Sequence, residues 1–279
     1  MSATSRRLAV LSNRMTRHIG RRWGARFPFY YVIEFPKSGG TWIGQMVADC
    51  LQLPFPKKPV LPIAMPAVVH AHWKYDPKLT NVLYITRDGR DLTVSAYFQG
   101  LRRAKDPTNA VGPKRRRLLE RLAGPGVEID NAVAIMPRFI EYVHHSARTS
   151  RKQWRAHVSS WRDRPGVVYT TYESMLASPE AELCRILTGL TGGEPESWRV
   201  EMAVEKFSMR RQTGRAPGEE DTASFIRKGV AGDWKNYFNL EARRVFDRLA
   251  GDTLIELGYE PDHAWVEADE PAATAVESA

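Results

Sequence analysis

Two cysteines in 279 residues, Cys50 and Cys184, are too few and too far apart for a disulfide framework or a zinc knuckle. Both sit inside apolar patterns, and a reducing compartment is expected. Long hydrophobic runs are missing too. None approaches the roughly 18 residues of a membrane span, and the N-terminus lacks the uninterrupted apolar core of a secretory signal. The chain is expected to be soluble and cytoplasmic. No GxxxxGK[ST] loop occurs, which counts against an ordinary P-loop nucleotidase. Each end also lacks one sign of charge. No Asp or Glu precedes Glu34, although Arg6, Arg7, Arg14, Arg17, Arg21, Arg22 and Arg26 do, and no Lys or Arg follows Asp262.

What is present begins with a net charge of +9, which asks for an anionic partner: nucleic acid, a membrane surface or a small polyanion. In residues 1–26, Leu8, Leu11, Met15, Ile19 and Trp23 follow a 3, 4, 4, 4 spacing with most arginines opposite. That is a basic amphipathic helix. It either lies on an anionic membrane, peripheral on its inner face, or packs on its own domain. Its arginine-rich, acid-poor composition also resembles a transit peptide. At 279 residues and 43% hydrophobic, the chain can bury one core, and a single domain over residues 27–261 is expected. The acidic segment 262–279 reads as a disordered tail.

Along the domain, strands and helices alternate. "FYYVIEF" (29–35), "AVVHAH" (67–72), "NVLYIT" (81–86) and "GVVYTTYE" (166–173) are short runs rich in β-branched and aromatic residues. Helical patterns follow from about Gly40 to Leu51, from about Arg90, and through "SMLASPEAELCRILTGL". Such alternation predicts an α/β fold, a single domain with a parallel doubly wound sheet. Ligands bind such sheets at the carboxyl ends of the strands. A basic, purely helical stretch from about 102 to 164 reads as a helical cap, and "RRQTGRAPGEEDT" (210–222) as a mobile loop.

Three distant stretches ask for the same chemistry. In "PKSGGTW", the backbone N–H groups of Ser38 to Thr41, the Thr41 hydroxyl and a helix N-terminus form an anion site, with Lys37 reaching over it from the strand end. In "YITRDGRDLTVSAYF", Arg87 leaves a buried strand and Ser95 follows in the next helix. In "FIRKGVAGDWKNYF", Arg227, Lys228 and the Gly229 backbone offer charge and a closely approachable donor. Three anion sites for one small ligand suggest a nucleotide with phosphate at both ends.

"FPKSGGTW" resembles the 5′-phosphosulfate-binding loop of the sulfotransferases that use 3′-phosphoadenosine 5′-phosphosulfate (PAPS). "YITRDGRDLTVSAYF" is similar to that family's 3′-phosphate stretch, and "RKGVAGDWKNYF" to its C-terminal signature. The resemblance runs from about Phe29 to Tyr259. It implies that Lys37 holds the bridging oxygen of the leaving phosphate, while Ser38, Gly39, Gly40 and Thr41 bind the 5′-phosphate. Trp42 and Phe207 would stack on adenine, Tyr172 would contact it, and Arg87, Ser95, Arg227, Lys228 and Gly229 would bind the 3′-phosphate. The family's histidine base aligns best with His72, and His70 is its rival; Ser95 and Lys37 are grouped with His72 as catalytic. No metal is implied, the product is 3′-phosphoadenosine 5′-phosphate (PAP), and the acceptor offers a hydroxyl or amine. A glycolipid, carbohydrate or other small molecule fits. His144 and His145 read as surface residues, and Asp233 and Trp234 as loop-shaping ones. The animal cytosolic branch carries a KxxxTVxxxE dimer motif after GDWK; "KNYFNLEARR" lacks it, so that dimer is not implied.

Two other classes compete. A P-loop kinase would need a Mg²⁺-binding aspartate, for which Asp88 is the only candidate. A non-enzymatic module would bind nucleic acid or membrane through the basic surface.

Overall fold

Tyr, Val, Ile and Thr crowd the four segments that become strands in a computed structural model, which describes residues 3–24, 26, 29–56, 66–145 and 153–268. They are β1 (Tyr30–Glu34), β2 (Val68–Ala71), β3 (Val82–Thr86) and β4 (Val167–Thr171). All neighbours pair in parallel, in the order β2-β1-β3-β4. The chain leaves β1 toward one edge and returns on its other side to β3. The crevice at the carboxyl ends of β1 and β3 is therefore the topological switch point where such folds bind ligands.

Both sheet faces are buried, which explains why the strands read as nearly continuous apolar runs. Val32, Val68, Leu83 and Ile85 face α2 (Gly40–Cys50), α7 (Tyr172–Ala177), α8 (Pro179–Thr191) and α9 (Ser197–Lys206). Tyr31, Ile33, Val69, Val82 and Tyr84 face the opposite way, toward Trp161 of α6 (Trp154–Trp161). A third apolar cluster joins α3 (Gly89–Lys105), α4 (Gly112–Ala123), α5 (Ala132–His145) and α11 (Leu240–Glu256). This is the doubly wound α/β domain expected. Cys50 and Cys184 are free and pack against the α2 side of the core.

Local chemistry sets several boundaries differently from the sequence pattern. The helix expected through "SMLASPEAELCRILTGL" breaks in two, because Pro179 cannot donate to the preceding turn and Ser178 is pushed out of helical backbone. The stretch expected as a mobile loop begins instead with α10 (Met209–Thr213), capped by Ser208 and ended by Gly214 at φ 76°. His144 is buried rather than on the surface: its Nε2 lies 3.2 Å from Thr93 Oγ1 and its ring meets Phe246. The His145 side chain, the Arg6 side chain and residues 269–279 of the acidic tail lie outside the described residues.

The N-terminal segment is helical, α1 (Ala3–Trp23); Ile19 of its apolar stripe packs against the core, but the earlier part of the stripe does not face the domain. Leu8 is 61%, Leu11 53% and Met15 39% exposed, whereas Thr16 is 1% exposed. Beside Ile19, the buried contact is made by small residues. A Cβ on Gly20 would stand 1.7 Å from Tyr31 Oη, so only glycine lets the helix reach the core there. Arg17 and Arg21 pair with buried Asp76 at 3.4 and 2.7 Å, and Arg17 lies over the Trp73 ring. No helix among the described residues is long and apolar enough to cross a membrane.

Candidate active site

The turn after β1 is made by backbone that most residues avoid. Lys37 has φ 85° and Gly39 φ 91°, so a bulky residue is held in the left-handed region two positions before a glycine that adopts it freely. Strain of this kind marks functional turns. The glycines are also required by space. A Cβ on Gly39 would meet the Tyr172 ring at 2.7 Å, and one on Gly40 would meet Glu34 Cδ at 2.6 Å. The Ser38 amide and hydroxyl both donate to the Phe35 carbonyl, and the Gly40 amide donates to Glu34 Oε2 at 2.6 Å. The Gly39 and Thr41 amides remain for an anion, two rather than the four expected.

A cavity of about 570 Å³ opens on this turn. It brings together Lys37, Gly39, Gly40, Thr41, Trp42, His70, His72, Arg87, Ser95, Tyr172, Phe207, Arg227, Lys228 and Gly229. Of the residues singled out in the sequence for this site, Ser38 alone is not in its wall; it is fully buried beneath the turn. The expected helical cap adds little to the wall: among the described residues between 102 and 164 only Arg102 and Arg103, both still on α3, reach it. Most of the cover comes from residues 204–230 instead, including Phe225 over Lys37 Nζ at 4.9 Å.

At the α2 end, Trp42 donates its indole N–H to the Phe207 carbonyl at 3.0 Å and meets Tyr172 edge-on. At the β3 end, Arg87 donates to the Lys37 and Val230 carbonyls and stacks 4.0 Å from the Tyr172 ring. Its Nε is buried with no hydrogen-bond partner. Its Nη2 pairs with buried Asp91 at 3.5 Å, so the charge is balanced in part, and the unmet Nε is the donor left over for an anion. Asp91 takes the amides of Gly232 and Trp234 at 2.8 and 2.9 Å, which fastens the "GDW" turn to α3. Asp233 then holds Lys228 Nζ at 2.6 Å and pairs with Arg227, which also pairs with Glu220. Asp233 and Trp234 thus shape the loop and stay out of the cavity wall.

Charge beside the turn is concentrated. Burial pushes the Lys37 ammonium down to about 8; the neighbouring charge of Glu34 opposes that shift, while Arg87, Arg102 and Arg103 reinforce it. Glu34 is the residue that sequence reading passed over. It is 4% exposed, with Oε1 2.9 Å from His70 Nε2, and its carbonyl oxygen lies 3.0 Å from His72 Nδ1. A signal existed: an acid closing an otherwise apolar strand directly before the loop. Two histidines and a carboxylate within 4.8 Å also form a donor set that a divalent cation accepts. Here Oε1 and Oε2 already receive His70 and the Gly40 amide, so the cluster is complete as a hydrogen-bonded unit. Asp88 is likewise engaged, capping α3 and pairing with Arg90 at 2.7 Å.

The family comparison bears directly on this arrangement. The family model described as "Sulfotransferase domain" matches residues 61–258. The chain belongs to the sulfotransferase family. Among its relatives, mouse sulfotransferase 1B1 is 24% identical over 80% of this chain and 83% of its own length, and human sulfotransferase 1E1 is 22% identical over 78% and 80%. Among solved structures, mouse sulfotransferase SULT7A1 complexed with PAP aligns at TM-score 0.59 and 19% identity, covering 85% of this chain and 86% of that one. A retinol dehydratase in complex with androsterone and inactive cofactor PAP aligns at TM-score 0.56 and 18% identity, covering 81% and 80%. The sulfotransferase fold and family expected from the three motifs therefore hold for this chain.

Proposed function

We propose that the protein transfers a sulfonate group from PAPS to an acceptor hydroxyl or amine and releases PAP. The observation that carries this is the convergence of Lys37, Arg87, Arg227 and Lys228 on one cavity with Trp42 and Phe207 at its edge. The unmet Arg87 Nε donor supports a phosphate there. PAPS supplies a sulfonate activated by its phosphate leaving group. Lys37, still mostly protonated at neutral pH, stands at the strand end where charge on a departing phosphate needs an opposite charge. With its Nδ1–H donating to the Glu34 carbonyl, His72 presents Nε2 as the nitrogen that takes the acceptor's proton. Arg227, Lys228 and the Gly229 backbone hold the 3′-phosphate, with Ser95 and Arg87 opposite. The P-loop kinase reading is disfavoured by the engagement of Asp88 with Arg90.

A lipid-borne acceptor at an anionic membrane surface, such as a glycolipid, is the acceptor we favour. The support is the exposed stripe Leu8, Leu11 and Met15 on an arginine-rich helix. Incubation with PAPS and a panel of glycolipids in vesicles, soluble saccharides and phenols, read by PAP release and product mass, tests both parts. PAP release with no acceptor in the panel above the acceptor-free control would remove the transferase reading for these classes. Release with soluble acceptors alone would remove the lipid part.

A further inference from the structure

Glu34 ends β1 where the family loop begins, and its position in the sheet decides what it touches. Val32 pairs with His70 across the β1–β2 ladder, so Glu34, two residues further on, lies on the same face at the level of His72. Its carboxylate then faces two elements at once. Oε1 takes His70 Nε2 at 2.9 Å, and Oε2 takes the Gly40 amide at the first residue of α2 at 2.6 Å. Oε1 also stands 4.0 Å from His72 Nδ1, while the Glu34 carbonyl oxygen is 3.0 Å from that nitrogen. One residue contacts the donor loop, the rival histidine and the base.

The fit is close on every side. A Cβ at position 40 would stand 2.6 Å from Glu34 Cδ and 2.8 Å from His70 Nε2. Phe55 stacks on the far face of His70, and His72 meets it edge-on with ring centroids 5.0 Å apart. A buried carboxylate with these partners is not a solvated surface acid. Burial alone would push its carboxyl up, but the His70 hydrogen bond, the His70 and His72 charges and the Gly40 amide together hold it below the usual carboxylate value.

We propose that Glu34 is a positioning residue for sulfonate transfer: with His70 as its fixed partner, it aims His72 through the backbone carbonyl and ties that histidine to the donor loop through Gly40. This rests on His72 being the base in the proposed reaction. His70 in this arrangement is committed to Glu34 and is not the base. The other charged or titratable groups that share the field are Lys37 on the loop, Tyr84 on β3, His157 on α6 and Lys74 after β2. The Glu34 carbonyl oxygen, able only to accept, fixes the His72 tautomer with hydrogen on Nδ1, and the carboxylate 4.0 Å away sets a negative charge beside that ring.

Long-range proton–nitrogen NMR of the histidine rings, on full-length protein loaded with PAP, tests this without needing an acceptor. The His72 signals are assigned with His72→Gln. In the wild-type protein His72 is expected as the Nδ1–H tautomer, and its titration midpoint should fall by about one pH unit in Glu34→Gln, the size of a neighbouring-charge effect. Glu34→Asp, which keeps the charge one methylene further back, should recover at least half of the difference. An unchanged midpoint in both variants, or an Nε2–H tautomer in the wild type, would overturn the proposal. Should Glu34→Gln not fold, Glu34→Asp carries the same test: a midpoint lowered by a few tenths of a pH unit supports the proposal and an unchanged one overturns it. Failure of the wild type to bind PAP would instead sink the donor reading, so the two failures are distinguishable.

Discussion

Buried Asp233 accepts a 2.6 Å hydrogen bond from Lys228 Nζ, and the same carboxylate pairs with Arg227. The two cations expected to bind the 3′-phosphate are thus already held in place by an internal anion. Such prepayment of ordering cost is what lets a charge-assisted contact appear as affinity.

The first prediction follows from that pairing. Lys228→Ala and Arg227→Ala should each weaken PAP binding by about 10- to 100-fold, the worth of a hydrogen bond to a charged group. Adenosine 5′-phosphate, which lacks the 3′-phosphate, should lose no more than about threefold. Calorimetric titration of each variant with both nucleotides separates the outcomes; equal losses for both would show that the cations serve the whole nucleotide or the fold.

Lys37 should separate binding from chemistry. Lys37→Ala should lower kcat by about 10²- to 10³-fold, the size expected for losing a charge at the leaving group, with a smaller change in PAP affinity. The ammonium is set near 8 by burial, opposed by Glu34 and helped by Arg87, Arg102 and Arg103. Transfer should therefore decline as pH rises through about 8, and Arg102→Ala should move that limb to higher pH. Stopped assays across pH 6.5–9.5 check the direction; a limb moved downward in Arg102→Ala contradicts the electrostatic account.

The exposed stripe on α1 makes a separate claim. Replacing Leu8, Leu11 and Met15 together with Ser should abolish co-sedimentation with phosphatidylserine vesicles. PAP affinity should stay within about twofold and stability within roughly 0.5 kcal/mol per site, since these side chains are exposed. Vesicle binding that survives the triple substitution would remove the membrane part of the reading.

Two buried histidines predict acid sensitivity. Burial pushes His144 down to about 4, helped by the charge of Arg155, and His157 down to about 4, helped by His72. Both therefore fold in the neutral form. Between pH 6.5 and 4 the unfolded chain binds the protons that the folded chain refuses, so stability falls as pH drops through that window. Each contributes about 1.4 kcal/mol per pH unit there. Chemical denaturation at pH 7 and pH 5, for wild type and His144→Gln, should show a smaller acid loss in the variant; an equal loss would show that His144 is charged in the folded protein.

The four strands and the meeting of the three motif stretches at one cavity were legible because each depends on local grammar: β-branched runs for a sheet buried on both faces, glycines at turns, cations at strand ends. What escaped were features set by contacts between distant segments. Glu34 has a role only because His70 and Gly40 arrive beside it from β2 and α2. The apolar stripe of α1 follows the helical period, yet of its members Ile19 packs on the core while Leu8, Leu11 and Met15 stay exposed, and the helix docks beside it through Thr16 and Gly20, where Tyr31 leaves no room for a Cβ at position 20. Likewise His144 lies near the end of a largely apolar helix, and Phe246 and Thr93 bury it from outside that helix.

The central claim is that the cavity recognises a nucleotide with phosphate at both ends of its ribose. Calorimetric titration of the wild-type protein with PAP and with adenosine 5′-phosphate, both without metal, tests it most directly. The account predicts PAP binding at least tenfold tighter, the worth of one charge-assisted contact. Equal affinity, or none for either, would contradict it.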